Sequence, residues 1–425
     1  MPPIQNPEPE FAAFVAIDWA DQKHYWSLQV PGLQQIERGA WDNMPEAIEV
    51  GVTELHLRLG GRPLAVALEQ RRGALVAMLS KYGQLPFYPV HPLTLAQYRE
   101  AWYPSRSKDD RKDADLLREI LCQQRDRWRR LDPDPTARRL LPFQVENRRK
   151  LVDQRTALSN RLTDRLKLYD PPILLWFPDS KTLLVGDLLL RWPTLLELQK
   201  AKTATREKFF HQHNCRDQQT IQQRWEQIRR AMPATRDEAV IGSARCLALV
   251  CVQQIACLQR AIGEWEKEIA ELARQQPDWD SFDSLPGAGA VLAPRLMAAW
   301  GSRRERFASA AELPCFSGIA PVKEASGNSP WVHRRWACPQ FLRQSFHEWA
   351  AGSIHFCDGA KAYYDQQRSH KKPHHTAIRA LAFKWMRILY RCWQDRQPYR
   401  EVIYLLSWAK RNPPRQRLAH SVPMP

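Results

Sequence analysis

Residues 11–18, Phe11-Ala12-Ala13-Phe14-Val15-Ala16-Ile17-Asp18, are an apolar run that stops on a carboxylate. Such a run predicts a buried strand whose last residue emerges at a sheet edge. Working outward, residues 24–30 alternate polar and apolar, as a half-buried strand does, and residues 41–59 fit a helix ended by Gly60-Gly61. Residues 63–68 form a second apolar run that also stops on a carboxylate, Glu69, and residues 85–90 predict a further strand closed by Pro92. Strands interspersed with helices make residues 1–130 an α/β domain.

The rest of the chain reads differently. Residues 131–280 form a helical region opening at Asp132-Pro133-Asp134-Pro135, with Leu151, Leu158, Leu162 and Leu166 at helical spacing. Farther on, Ile255, Leu258, Ile262, Trp265, Ile269 and Leu272 step alternately by three and four, which is a heptad seam. An antiparallel hairpin within the chain and pairing between chains both satisfy it. Residues 281–410 form a third, mainly helical domain. Its Leu285-Pro286-Gly287-Ala288-Gly289 is a tight turn into a helix, either a phosphate-approaching turn or a plain packing turn. Residues 377–393 carry a helical core stripe, and residues 411–425, rich in Pro and Arg, predict a disordered tail.

Lys and Arg number 63 against 46 Asp and Glu, a net charge of +17. That field attracts polyanions, of which nucleic acid is the commonest. The nine cysteines form no Cys-x-x-Cys pair, which argues against a zinc ribbon or a disulfide framework and fits a reducing cytoplasm. His211, His213 and Cys215 match no standard metal spacing. The first ten residues lack a secretory signal, and residues 239–258 include Arg245, Gln253 and Gln254, so a buried helix is expected there rather than a membrane span.

Four carboxylates stand out by position. Asp18 and Glu69 end strands, while Asp110 and Asp113 lie three apart at the start of a helix predicted over residues 110–124. Hard oxygen ligands gathered in this way hold the divalent cations that phosphodiester cleavage uses. Asp109 is four residues before Asp113, also on one helical face, so spacing leaves Asp109 and Asp110 as alternatives. Arg334-Arg335, between Trp331 and Trp336, reads either as a nucleic-acid contact or as a helix edge packed by tryptophan.

Val15-Ala16-Ile17-Asp18, Ala67-Leu68-Glu69 and Lys108-Asp109-Asp110-Arg111-Lys112-Asp113-Ala114 together resemble the N-terminal DEDD domain of the insertion-sequence-110 family of transposases. Leu285-Pro286-Gly287-Ala288-Gly289, residues 316–322, Ser326-Gly327 and Ala362-Tyr363-Tyr364 to Trp393 resemble that family's second domain, in order. The resemblance implies a RuvC-like, RNase-H-type fold with Mg²⁺ held by Asp18, Glu69, Asp110 and Asp113, and a serine nucleophile at Ser326. It further implies donor and target DNA as substrates, a structured guide RNA encoded beside the gene, and a homo-oligomer, dimer or tetramer, in which domains of different protomers share one active site. Two departures stand out: Lys108-Asp109-Asp110 replaces the family's common Lys-Thr-Asp, and Cys338-Pro339 precede Leu342-Arg343 where glycine is common. The competing expectations are a junction-resolving nuclease that uses water and a non-catalytic nucleic-acid-binding protein.

Overall fold

The computed structural model describes residues 11–70, 72–103, 109–128, 130–131, 136–301 and 303–403. The chain divides into two compact units, Met1–Pro135 and Thr136–Pro425. The expected tail at 411–425 lies outside the described residues.

The first unit is built on a five-stranded sheet of order β3-β2-β1-β4-β5. Its strands are β1 (Ala13–Asp18), β2 (Lys23–Gln29), β3 (Ile36–Asp42), β4 (Leu64–Leu68) and β5 (Phe87–Pro89). β1, β2 and β3 form an antiparallel meander, and β4 and β5 run parallel to β1. The helices are α1 (Pro45–Arg58), α2 (Ala74–Leu79), α3 (Pro92–Trp102) and α4 (Asp110–Gln124). β1 and β4 are apolar almost throughout because helices cover both sheet faces. Val15, Ile17, Val66 and Leu68 join Ile48, Val52, Leu75 and Leu79 on one face. Ala16, Ala65 and Ala67 face the other way, against Leu116, Leu117 and Ile120 of α4. Three alanines in that position let α4 lie close to the sheet. β3, which the sequence pattern did not announce, is an edge strand whose one buried side chain is Trp41.

The second unit starts with a long helix, α5 (Thr136–Tyr169), and five short ones: α6 (Pro172–Trp176), α7 (Leu183–Arg191), α8 (Leu195–Gln199), α9 (Thr203–Gln212) and α10 (Gln218–Arg230). Helix α11 (Glu238–Arg274) then returns antiparallel along α5. Leu141 and Val145 pack with Ile269 and Ala273 near one end, and Leu162 and Leu166 with Ala248 and Val252 near the other. Residues 255, 262 and 269, seven apart, are buried, and 258, 265 and 272 half-buried, so the heptad seam closes within the chain. Arg148 and Glu266 form an ion pair across the hairpin. Contrary to the sequence expectation, a window of α11 is by length and composition apolar enough to cross a membrane, with mean hydropathy 1.6. Ala244, Cys251, Val252 and Ile255 of that helix are buried in the core it shares with α7 to α10.

Next come α12 (Trp279–Asp283), α13 (Gly289–Trp300), α14 (Glu312–Phe316), a hairpin of β6 (Val322–Ser326) and β7 (Ser329–His333), and helices α15 (Gln340–Ser353), α16 (Asp358–Ser369) and α17 (His374–Gln394). The expected stripe on α17 is real: Ile378, Leu381, Ala382, Trp385 and Leu389 are buried with Trp300, Trp349 and Trp393 in one core. The turn before α13 is a packing turn. Gly287 has φ +72, and a Cβ there would approach backbone atoms of Gly352 and Ser353 at 3.2 Å. Trp349 donates its indole N–H to the Pro286 carbonyl at 3.1 Å, locking the turn against α15.

Candidate metal centre and serine hairpin

The pleat of β1 decides where Asp18 points. Side chains alternate across a strand, so Asp18 shares the face of Ala16, which is the face covered by α4. Asp110 and Asp113 lie on the stripe of α4 that continues into Leu116, Leu117 and Ile120, the residues seated on that same face. As a result, Asp18, Asp110 and Asp113 each bring a carboxylate oxygen within 4.8 Å of the others. Asp18 and Asp113 are buried and Asp110 is half-buried.

Local chemistry fixes the phase of α4. Asp109 is its N-cap: the side chain accepts from the Arg111 backbone N–H at 3.0 Å. That occupies Asp109 and leaves Asp110 as the first helical residue, turned toward Asp18. The helix N-terminus also favours carboxylates in its first turn.

Asp113 is further held from α3. Arg99 donates Nε to Oδ1 at 2.7 Å and Nη2 to Oδ2 at 2.6 Å, a bidentate clamp on a carboxylate only 2% exposed. No spacing rule points to this partner, because the α3–α4 packing that creates it is tertiary.

Glu69 is half-buried, directly after β4, where the chain bends away, and lies outside the three-carboxylate group. The structure therefore brings together three of the four expected carboxylates. Around α4, Arg106 and Lys108 fall outside the described residues, while Arg111 lies over the Tyr25 ring, 5.4 Å from its centroid. His211, His213 and Cys215 do not form a metal group: His213 faces Asp187 at 3.4 Å and His211 faces Gln218 at 3.5 Å.

The three carboxylates suit a divalent cation. All supply the hard oxygen donors that such an ion takes.

Ser326 is in the second unit, at the exposed tip of the β6–β7 hairpin, paired with Ser329. The two-residue loop is Gly327-Asn328, and Gly327 has φ +56, at the loop position where tight hairpins call for glycine. By strand alternation Glu324, Ser326, Ser329, Trp331 and His333 share one face, and Lys323 points to the other. His333 bonds Glu324 at 2.7 Å at the foot of the hairpin; that bond, then the Arg334 carbonyl, raises its pKa above the usual histidine value. Trp336 is 71% exposed and stacked under Arg334 at 4.0 Å, so it does not pack a helix edge.

A transposase family model of the DEDD type matches residues 15–171, spanning the carboxylates, and the transposase IS116/IS110/IS902 family model matches residues 280–365, spanning the hairpin. The chain belongs to the IS110 family of transposases. It is 27% identical over 411 residues to the IS117 mini-circle transposase candidate of Streptomyces coelicolor, covering 93% of this chain and 97% of that protein. It is 26% identical to a 44.8 kDa protein of IS116 from Streptomyces clavuligerus, covering 76% of this chain and 80% of the other. It is 25% identical to a 42 kDa protein of IS900 from Mycobacterium paratuberculosis, covering 81% and 83%. The transposase thus aligns along nearly its whole length with an insertion-element protein, and its acidic group lies inside the DEDD match.

Proposed function

We propose that this transposase cuts and rejoins DNA strands with Ser326 as nucleophile, assisted by Mg²⁺ held at Asp18, Asp110 and Asp113, with Glu69 as a fourth ligand. The observation that carries the reading is the convergence of three carboxylates from β1 and the first turn of α4. The antiparallel meander beside two parallel strands supports a RuvC-like assignment of the first unit.

In the proposed step the Ser326 hydroxyl attacks a DNA phosphorus. A serine O–P bond forms, one sugar O–P bond breaks, and the departing sugar oxygen takes up a proton. The phosphodiester is exchanged rather than hydrolysed, so rejoining needs no nucleotide cofactor. A bound divalent cation would supply charge neutralisation at the reacting phosphate. The protein's own part is to hold the acidic group on β1 and α4 and to present an exposed hydroxyl at a glycine-relieved hairpin tip. We further propose, from the family relationship, that a structured RNA encoded beside the gene selects the DNA sites and that the protein acts as a homo-oligomer.

The deciding experiment is Ser326→Ala in a plasmid recombination assay, with denaturing gels for a covalent protein–DNA adduct. Recombination is expected to fall at least about 10³-fold, with loss of the adduct. Full recombination by the variant would overturn the nucleophile assignment. Free DNA ends without an adduct in the wild type would mean that water attacks.

A further inference from the structure

We propose that a patch of arginines and histidines made by Arg334, Arg343, His347, His374, His375 and Arg379, fully exposed at Arg334, His374 and His375, grips the sugar-phosphate backbone of duplex DNA beside the Ser326 hairpin. These residues come from three places in the second unit: the segment leaving β7, helix α15, and the N-terminal turns of α17. Folding brings them together. The His347 and His375 rings are 5.5 Å apart and those of His374 and His375 are 5.0 Å apart. The Tyr364 hydroxyl sits 2.7 Å from His374 Nδ1. Arg379 is close enough to Arg334 and Arg343 that, after burial, those two cations push its pKa down. His347 is lowered in the same way, by burial and then by His375, Arg379 and His374.

The nearby acids are engaged elsewhere. Glu348, next to His347 in sequence, bonds Arg295 and Arg149, and Glu324 bonds His333. Arg379, Arg334 and Arg343 repel one another in the free protein, a cost that a bound anion relieves, and the N-terminus of α17 also favours an anion. Arginine forks match phosphate oxygens, and the exposed Trp336 beside Arg334 offers a flat apolar surface to sugars or bases.

Duplex DNA, rather than another polyanion, follows from the place of the patch. β7 begins at Ser329, the partner of Ser326, and runs directly into Arg334. The five residues from Ser329 to His333, four steps of roughly 3.3 Å, span about 13 Å. With phosphates of one strand about 3.4 Å apart along the duplex axis, the patch would meet the backbone about four base pairs from the bond facing Ser326. This inference rests on the proposed reading of Ser326 as the group that meets DNA.

The test is fluorescence anisotropy of the full chain with a labelled DNA duplex across a salt series, comparing wild type, Arg334→Ala and the pair Arg334→Ala/Arg379→Ala. Each lost phosphate contact should reduce the slope of log K against log salt by about 0.9, so the pair should lose about two and Arg334→Ala about one. Arg334 is exposed and serves as the variant that leaves folding intact. Wild-type slopes in folded variants would overturn the patch while leaving the transposase reading standing. Weakened binding to a structured RNA with unchanged duplex binding would also overturn it. Absence of salt-dependent duplex binding by the wild type would sink both the patch and the reading beneath it.

Discussion

Replacing Arg99 by methionine removes the cation that clamps Asp113 and keeps most of the side chain's length. Asp113 is 2% exposed, both its oxygens are bound by Arg99, and two further carboxylates stand within 4.8 Å. Breaking a buried ion pair by deleting one partner typically costs about 3–5 kcal/mol. Arg99 is 21% exposed, so water offsets part of that, and the lower end, about 3 kcal/mol, is the expected loss. For a unit of this size about 3 °C per kcal/mol follows, so its thermal transition should fall by about 10 °C in chelator. A divalent cation should then restore more stability to the variant than to the wild type, because it returns positive charge to an acidic group that has lost its counter-ion. A ligand at a hundred times its Kd contributes about 2.7 kcal/mol, enough to recover most of the loss. Arg99→Lys should fall between the two, since an ammonium cannot form the two-pronged contact. Calorimetric melting of the full chain with chelator or with magnesium reads all three proteins. The reasoning fails if Arg99→Met melts with the wild type in chelator, or if magnesium shifts both proteins equally.

Other outcomes follow from buried titratable groups. Asp170 is buried with one oxygen accepting from the Leu195 N–H at 2.6 Å, and burial raises its pKa to about 6. The raised value means the folded state is penalised progressively as pH rises from about 4 to about 6 and fully above that, so Asp170→Asn, which keeps an acceptor, should stabilise the second unit at neutral pH by at most about 3 kcal/mol and gain nothing below pH 4, as denaturant titrations at the two pH values would show. His24 and His347 are both depressed below the ordinary 6.5, chiefly by burial. Protonation therefore favours the unfolded chain: their stabilisation is complete above 6.5 and is lost as pH falls through the depressed values, so melting temperatures should decline on acidification, and His24→Gln should flatten the decline in the first unit.

Much of the architecture is legible in the sequence where one periodicity dominates. β1 and β4 show as apolar runs because both sheet faces are covered, and α17 shows as a helical stripe because one side, with its own Trp385 and Trp393, is buried in the core that holds Trp300 and Trp349. β3 does not show. Its seven residues, Ile36 to Asp42, carry charges and a glycine and bury only Trp41, as an edge strand can. Gly39 there lies under the Trp26 ring, a cross-strand contact that no local pattern encodes. The site divides along the same line. Asp18 is visible as the end of a strand and Asp110 with Asp113 as a helical pair, whereas the Arg99 clamp depends on how two helices pack. Ser326 is visible only through family resemblance, since a Ser-Gly turn is ordinary chemistry.

One residue links the readable and unreadable parts of the acidic group. Asp109 and Asp110 are equivalent by spacing to Asp113, and what separates them is the hydrogen bond from the Arg111 N–H to the Asp109 carboxylate. That bond sets where α4 begins. An α-helix turns by about 100° per residue, so starting one residue earlier would put Asp109 in a helical position and deprive the helix of its cap. With the cap in place, the phase that seats Leu116, Leu117 and Ile120 on the alanines of β1 and β4 is the same phase that aims Asp110 and Asp113 at Asp18. Core packing and carboxylate convergence are therefore one geometric condition. A change that slid α4 by a residue would lose both together, whereas one that only removed a carboxylate would leave the fold in place.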